Sequence, residues 1–290
     1  MASIDQKAML EAGVHFGHLK KKWNPKMLPY IFAERKGIHV IDLNKTAEKL
    51  EQAGQAMKHI AKSGRQILFV ATKKQAKDIV KNAAMSCNMP FITERWLGGM
   101  MTNFTTIRKS VKKMQSIDKM FKDGTVNNIT KKERLMLSRQ KDKLEVVLGG
   151  IANMMRLPAA IYVVDISHED IAILESKRLG LTTFGIVDTN SDPNKINFAI
   201  PGNDDSSKSI EYITNYLVEC IKEGLAEKAN HVSEEETEET EVVVKNSKRT
   251  KVVEEVTTEE VVKEEVVTGE VTTEEVVTEE VVTEEAASEE

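Results

Sequence analysis

Several features that would assign a chain to a familiar class are scarce or missing in this sequence. Its 290 residues contain two cysteines, Cys87 and Cys220, which lie far apart and lack the spacing of a metal site. Such thiols are typical of a reduced compartment, where cysteine packs as a small apolar residue. No apolar run approaches the roughly 18 residues that cross a bilayer, and the N-terminus does not resemble a signal peptide. We therefore expect a cytoplasmic protein that is neither secreted nor inserted in a membrane.

Signatures of enzymes are also missing. The sequence has no Gly-x-Gly-x-x-Gly after its first predicted strand, no Walker phosphate loop, no His-Glu-x-x-His and no Gly-x-Ser-x-Gly. His168–Asp170 follows a predicted strand, but acidic residues there are better explained as a helix cap that accepts hydrogen bonds from free backbone N–H groups. We expect no catalytic residues and no enzyme activity. The alternative is an enzyme for a phosphorylated ligand that uses the loops after Ala71 and Asp165.

Charge is abundant and unevenly divided. Residues 1–230 contain 36 basic and 25 acidic residues, whereas residues 231–290 contain 5 basic and 21 acidic residues. The two segments carry net charges of +11 and −16, which the total of −5 conceals. A basic body indicates a polyanionic partner, and a block of like charge tends to remain solvated.

The acidic segment repeats a unit close to Glu-Glu-Val-Val-Thr. A five-residue period matches neither a helix nor a strand, so no continuous apolar face forms, and the glutamates repel one another. We therefore expect a disordered Glu/Val/Thr-rich acidic tail over residues 231–290. Its role stays open among a solvated appendage, a docking segment for a partner and an electrostatic shield for the basic body.

Short aliphatic runs alternate with helical stretches in the body. The candidate strands are Ile38–Asp42, Ile67–Ala71, Pro90–Thr93, Ala160–Asp165 and Thr183–Val187. The candidate helices are Thr46–Lys62, Gln75–Met85, Glu169–Leu179 and Ser206–Lys228. Apolar runs without strict alternation indicate strands that are covered on both faces. We predict an α/β sandwich of the flavodoxin or Rossmann type, with a mostly parallel sheet whose ligands meet the carboxyl ends of the strands.

Between Thr102 and Ile151 this alternation stops, and two helical stretches replace it. The apolar residues of the first recur every three or four positions, namely Ile107, Val111, Met114, Ile117 and Phe121. The second begins with a capping-box pattern at Thr130–Glu133 and ends at a Gly-Gly pair. Each arm would be roughly 27 Å long. We predict a protruding helical hairpin over residues 102–151, inserted in a globular RNA-binding domain of residues 1–101 and 152–230.

Basic residues beside aromatic rings and chain turns are candidate RNA contacts. Lys20, Lys21, Lys22 and Lys26 surround Trp23, a combination that suits looped RNA, although a solvated lysine cluster around a core tryptophan explains them equally well. Lys73 and Lys74 follow a predicted strand, where backbone N–H groups and amines converge on a phosphate. Arg95 and Trp96 precede paired glycines, which either admit the RNA backbone or serve the turn.

The predicted hairpin adds charge that is mostly of one sign. Its first arm contains Arg108, Lys109, Lys112 and Lys113, which we predict to contact RNA, and further basic residues follow on both arms. Glu133, Asp142 and Glu145 offset only part of this charge. Such a surface is typical of a helix that binds along the phosphates of RNA.

Histidines and aspartates offer a candidate metal site. His15 and His18 lie near the N-terminus, and the carboxylates that could join them are Asp188, Asp192, Asp204 and Asp205. An imidazole with carboxylates can form a mixed nitrogen and oxygen site. A histidine packed at a loop and aspartates that fix turns explain the same residues.

Six motifs of the body occur in an order that a known family shares. They are Gly13–His18 (GVHFGH), Trp23–Met27 (WNPKM), Ile67–Lys73 (ILFVATK), Arg95–Met100 (RWLGGM), Val187–Pro193 (VDTNSDP) and Ile200–Asp205 (IPGNDD). On these motifs the chain resembles the bacterial small-subunit ribosomal protein two family, from about Ala8 to Gly224. The resemblance implies an α/β sandwich with a coiled-coil-like hairpin, no catalysis, and docking on small-subunit ribosomal RNA between the head and body of the subunit.

The resemblance also implies partners and a metal. Members of the family help attach the large messenger-binding protein one to the small subunit, and a zinc near that contact is associated with some of them. Carried onto this chain, the metal ligands are His18, Asp188, Asp204 and Asp205, although no cofactor is expected to be required. The expected partners are small-subunit ribosomal RNA and neighbouring ribosomal proteins. We expect no membrane association and no homo-oligomer.

Overall fold

The computed structural model describes residues 4–124 and 129–230. The tail of residues 231–290, for which we predict disorder, lies outside the described residues. In the described ranges, no helix is both long enough and apolar enough to cross a membrane.

The described chain alternates helices and strands. The strands are β1 (Phe16–Leu19), β2 (Ile31–Arg35), β3 (Ile38–Ile41), β4 (Ile67–Val70), β5 (Phe91–Ile92), β6 (Ala160–Val164), β7 (Thr182–Val187) and β8 (Phe198–Pro201). The helices are α1 (Gln6–Ala12), α2 (Leu43–Lys62), α3 (Lys77–Ser86), α4 (Phe104–Lys122), α5 (Lys131–Leu148), α6 (Asp170–Arg178) and α7 (residues 207–230). Short 3-10 helices occupy Lys20–Lys22, Pro25–Tyr30, Gly149–Ile151 and Pro193–Lys195.

The larger sheet is parallel throughout, in the order β5-β4-β6-β7-β8. Successive residues of β4 face opposite sides, so Ile67 packs in one core and Leu68 in the other. Helices α2, α3 and α7 cover the first side, whereas α6 and the near ends of α4 and α5 cover the second. Each fully buried aliphatic side chain contributes roughly 1.5–3 kcal/mol of transfer free energy. The predicted α/β sandwich is confirmed.

A second, three-stranded sheet has the order β1-β3-β2 and is antiparallel. Here the sequence prediction needs correction, because the Ile38–Asp42 run belongs to this sheet and not to the parallel one. The turn between β2 and β3 is the two-residue loop Lys36-Gly37, with φ of 51° and 76°. Two consecutive positive φ angles are typical of the tight hairpin turns that match strand twist. Strands β1, β2 and β8 were not predicted from the sequence.

The helical hairpin lies where it was predicted. The apolar stripe of α4 is buried at Ile107, Val111, Met114 and Ile117, and Phe121 is half-buried. Thr130 and Glu133 form both hydrogen bonds of the predicted capping box at the start of α5. Asp118 of α4 lies 2.6 Å from Lys141 Nζ of α5 and so joins the two arms. The division of the chain at residues 101 and 152 stays a prediction.

Candidate functional site

The N-terminal segment packs against the carboxyl ends of the parallel strands and brings His18 there. The His18 backbone N–H donates a 2.8 Å hydrogen bond to Thr189 Oγ1, directly after β7. Gly17 makes this approach possible, because a Cβ at this position would lie 2.6 Å from Thr189 Cγ2 and 2.9 Å from the His39 carbonyl oxygen. Asn203 Nδ2, beyond β8, donates to the Gly13 carbonyl oxygen at 3.1 Å. Glycine is therefore needed at residue 17 for space.

His18, Asp188 and Asp204 form a cluster in which each residue offers one ligand atom within 4.8 Å of the others. His18 Nδ1 lies 2.9 Å from Asp188 Oδ2, and His18 Nε2 lies 3.4 Å from Asp205 Oδ2. The hydrogen bond with Asp188 raises the pKa of His18 above its ordinary value, against the opposing effect of burial. The carboxylates of Asp188 and Asp205 thus favour the protonated, cationic form of the His18 imidazole.

Lys73 lies among carboxylates on the same edge of the sheet. Its Nζ is 2.8 Å from Asp204 Oδ1, 2.5 Å from Asp205 Oδ1 and 3.4 Å from Asp165 Oδ2. Burial acts to lower the pKa of Lys73, but the hydrogen bonds to Asp204 and Asp205 outweigh it and raise that pKa. Lys73 therefore neutralises an acidic cluster, and the surrounding carboxylates would repel a phosphate. The Lys73 amine is thus already paired with carboxylates, whereas the neighbouring Lys74 is exposed.

The cluster has the chemistry of a divalent cation site. Burial, and then the charges of Asp165 and Asp188, raise the pKa of Asp204 to about 7. Asp204 Oδ2 is buried and accepts no hydrogen bond from the described residues. One imidazole and two carboxylates are suitable ligands for zinc, although the Lys73 ammonium already occupies the other oxygen of Asp204. The residues fit a metal, and Lys73 would compete with it.

The structure brings together three of the four predicted metal residues, and the fourth, Asp205, is exposed and contacts the other nitrogen of His18. Two further residues of the sequence hypothesis have other contacts. Asp192 accepts a hydrogen bond from Lys26 Nζ at 2.6 Å and caps the 3-10 helix after it. His15 packs against the Phe16 ring with a centroid distance of 4.0 Å.

The loop Arg95–Met100 is held by one buried carboxylate. Glu175 of α6 accepts hydrogen bonds from Trp96 Nε1, the Gly99, Met101 and Thr102 backbone N–H groups, and the Thr102 hydroxyl. The Trp96 side chain is only 8% exposed and packs in the core. The Trp96 ring therefore has little free face on which a base could stack, and its contact with RNA stays a prediction that this burial does not favour. Arg95 is exposed.

Glu169 also has a role that sequence reasoning missed. We expected the His168–Asp170 segment to cap its own helix, but Glu169 makes no such hydrogen bond. Its Oε1 instead accepts from the Thr72 backbone N–H at 3.0 Å and from the Thr72 hydroxyl. The carboxylate thus occupies two donors of Thr72, directly after β4, that were expected to face a phosphate.

The predicted lysine cluster near the N-terminus is partly paired. Lys20 Nζ lies 2.7 Å from Glu34, and Lys26 Nζ lies 2.6 Å from Asp192. Lys21 and Lys22 are exposed and form no ion pair with the described residues. The Trp23 ring is half-buried at 5.2 Å from the His39 ring. Surface pairs of this kind are weak, so an RNA phosphate can displace them.

On the hairpin, Lys109, Lys112 and Lys113 are exposed and have no acidic partner in the described part of the chain. Arg108 differs, because Nη1 donates to the Met154 carbonyl oxygen at 2.9 Å at the base of the hairpin. Asp118 pairs with Lys122 and Lys141, so these two lysines are partly neutralised. The three lysines of α4 therefore form the clearest anion-binding face among the predicted RNA contacts.

Comparison with known proteins identifies the family. The family described as Ribosomal protein S2 matches residues 9–224. Small ribosomal subunit protein uS2 of Flavobacterium johnsoniae is 58% identical over 236 residues, which cover 81% of this chain and 93% of the relative. The protein of the same name in Parabacteroides distasonis is 55% identical over 240 residues, covering 82% and 86%. That of Cytophaga hutchinsonii is 55% identical over 249 residues, covering 86% and 98%.

These relatives confirm the family resemblance that the six motifs indicated. They are ribosomal proteins and not enzymes, which confirms the prediction that this chain is not an enzyme. The chain belongs to the ribosomal protein S2 family.

Proposed function

We propose that this protein is a structural component of the small ribosomal subunit, that it works in the cytoplasm as a single copy, and that it binds small-subunit ribosomal RNA through its basic body. Family membership supports the ribosomal role. The single observation that carries RNA binding is the exposed face of α4, where Lys109, Lys112 and Lys113 have no acidic partner among the described residues.

The buried stripe on the opposite side of α4 supports this assignment. Ile107, Val111 and Met114 point toward α5 and the core, so the lysines between them are held outward on a rigid helix. A rigid row of amines neutralises several phosphates without ordering a flexible chain first. Each neutralised phosphate should steepen the salt dependence of binding by about 0.7–0.9 logarithmic units per tenfold change in salt.

The test is binding of the full chain to small-subunit ribosomal RNA and its sedimentation with small subunits. The variant Lys109→Gln/Lys112→Gln/Lys113→Gln should lower the salt slope by about 2 to 3 units, since three contacts are lost. A control is Lys7→Gln/Lys208→Gln, which removes exposed lysines outside the hairpin. RNA binding with a flat salt dependence, or no association with the subunit, would contradict the proposal.

We further propose that the N-terminal sheet helps attach messenger-binding protein one. Its support is three exposed apolar side chains: Phe16 of β1 is 51% exposed, Leu28 of the 3-10 helix before β2 is 64% exposed and Phe32 of β2 is 73% exposed. Exposed aromatic side chains of this size are typical of protein interfaces. Phe32→Ser should weaken binding of purified messenger-binding protein one to the small subunit while leaving RNA binding unchanged. An unchanged affinity for that protein would refute the attachment.

Next to this surface we propose a zinc held by His18, Asp188 and Asp204, with Asp205 beside them. The support is the 4.8 Å cluster and the unpartnered Asp204 oxygen. When bound, the metal would fix the β1 segment against the ends of β7 and β8. Titration of the purified chain with zinc should raise its melting temperature, and His18→Ala should abolish this rise. A rise that persists in the variant would place the metal elsewhere.

A further inference from the structure

The opposite edge of the parallel sheet carries a second basic surface, which we name the strand-entry surface. It consists of Arg65, Arg156, Lys177 and Lys195, which precede β4, β6, β7 and β8 in turn. Because all these strands run in the same direction, residues that precede them lie along one edge. The sequence prediction placed anion binding at the other edge, after the strands.

Two adjoining concavities open on the strand-entry surface. One, of about 720 Å³, is lined by Arg65 and Arg156, and the other, of about 270 Å³, is lined by Lys177 and Lys195. The two share Gly180, Leu181 and Thr182, so they form one continuous depression. None of the described residues that line either concavity is acidic. The residues that line the depression therefore contribute positive charge only.

Most of these cations are free to bind an external group. Within residues 4–124 and 129–230, Arg65, Arg156 and Lys177 have no carboxylate partner, whereas Lys195 lies 2.8 Å from Asp170. A fifth cation belongs to the same region, because a Cβ at Gly64 would lie 2.3 Å from Lys228 Nζ. Two free guanidinium groups are suited to phosphate, since each presents a planar fork of N–H donors.

The two edges of the sheet thus have opposite charge. Asp165, Asp188 and Asp204 follow β6, β7 and β8 at the carboxyl edge, whereas cations precede the same strands. Compensation of helix dipoles can explain Lys177, which lies in the last turn of α6. It does not explain Arg65 and Arg156, which lie in loops.

The strand-entry surface is joined to the hairpin by Arg108. This side chain, at the start of α4, donates to the Met154 carbonyl oxygen at 2.9 Å and to Met155 Sδ at 3.4 Å. The loop that carries Arg156 is therefore fixed to the base of the helix that carries Lys109 and Lys112. These contacts place Arg156 close to the start of the helix whose exposed face carries the three lysines.

We propose that the strand-entry surface binds the phosphate backbone of the same ribosomal RNA that the hairpin holds, with Arg65 and Arg156 as its main contacts. This inference rests on the proposed RNA-binding function and adds a second contact region to it. An RNA backbone suits the depression because it supplies phosphates at regular intervals, and the uncompensated cations along this edge complement them. An acidic protein segment is the competing occupant, and the test distinguishes the two.

The first experiment measures the salt dependence of full-chain binding to small-subunit ribosomal RNA between about 0.05 and 0.2 M salt, the range in which counterion release dominates. Arg65→Gln/Arg156→Gln should lower the logarithmic slope by about 1.5 units, because two phosphate contacts are lost. The matched controls are the wild type and Lys7→Gln/Lys208→Gln, whose slopes should agree. Unfolding curves establish that the variants are folded.

If the hairpin variant lowers the slope and Arg65→Gln/Arg156→Gln does not, the strand-entry inference is overturned and the proposed function stands. If neither lowers it, the proposed function fails as well. A slope that falls equally in the control would show a nonspecific charge effect and also overturn the inference. In a second experiment, a photoreactive residue at position 156 should crosslink to RNA in assembled subunits. Crosslinking to protein alone would assign the surface to an acidic segment instead.

Discussion

Trp96 Nε1 donates a 3.1 Å hydrogen bond to Glu175 Oε1, and this contact joins the loop before α4 to the helix α6 that covers the parallel sheet. The same carboxylate accepts from three backbone N–H groups of that loop and from one hydroxyl. A single buried acid therefore holds the whole loop from which the hairpin leaves the body. A carboxylate suits this place because it accepts several hydrogen bonds and offers no competing donor.

Replacement of Glu175 should be costly. We expect Glu175→Ala to lower the free energy of unfolding by about 3–5 kcal/mol, because it leaves several buried donors without an acceptor. Glu175→Gln should cost less, although its amide N–H₂ would face N–H donors on one side. Urea denaturation measures both, with the exposed Glu211→Gln on α7 as the control for loss of one charge. A Glu175→Ala variant as stable as this control would show that the loop is held by other contacts.

The pH dependence of stability offers a separate test of Glu175. Burial opposes ionisation, but hydrogen bonds from Thr102 and Met101 outweigh it and hold the pKa of Glu175 below its ordinary value. The carboxylate thus contributes stability that is present above the unfolded-state pKa and is lost as pH falls through the folded-state pKa. The stability difference between wild type and Glu175→Gln should be constant near neutral pH and shrink in acid. A difference that grows in acid would reverse the assigned shift.

Gly17 lies so close to Thr189 and His39 that a single added methyl group should lower the stability of the protein. Gly17→Ala should destabilise the protein by roughly 1–3 kcal/mol, because its Cβ would press on Thr189 Cγ2 and on the His39 carbonyl oxygen. It should also weaken any zinc-induced rise in melting temperature, since β1 carries His18. The control is Gly98→Ala, where no atom lies within 4 Å of the added Cβ. Equal melting temperatures for the two variants would exclude steric contact at residue 17.

The sequence predicts the secondary structure of this protein better than it predicts the contacts of the candidate functional residues. Strands β4, β6 and β7 and the capping box at Thr130 follow from local patterns, because apolar runs and cap residues act within a few positions of one another. Contacts between distant segments are not encoded in this way. The Lys73 amine was read as a phosphate ligand, since nothing near it in sequence shows that Asp204, 131 positions away, neutralises it.

Trp96 illustrates the same limit. An aromatic residue beside an arginine and paired glycines looks like a stacking platform for RNA, and only the position of Glu175 on α6 shows that its indole N–H is already bonded in the core. The free arginines of the strand-entry surface were missed for the opposite reason. Arg65 and Arg156 do not lie in runs of basic residues, so the sequence around each of them does not predict an anion-binding site. Their common position before parallel strands appears only when the strand order is known.

Asp204 provides a pH test at the acidic edge of the sheet. Burial, and then the charges of Asp165 and Asp188, raise the pKa of Asp204 to about 7, far above that of an exposed aspartate. Between the unfolded-state and folded-state pKa values the folded protein binds one more proton than the unfolded chain, so this group makes stability fall as pH rises. Asp204→Asn cannot titrate. Its stability relative to the wild type should therefore increase from about pH 4 to about pH 7 and then level off.

This experiment is done in chelator, because a bound metal would hold the carboxylate ionised and remove the slope. Asp192→Asn is the matched control, since Lys26 and then a backbone N–H hold the pKa of Asp192 below its ordinary value. The stability of Asp192→Asn relative to the wild type should change only in acid, where it should rise as pH falls. Identical pH profiles for the two variants would mean that the Lys73 amine keeps Asp204 ionised throughout. In that case Lys73 and Asp204 form a permanent ion pair, and a metal at this cluster would have to displace the Lys73 amine.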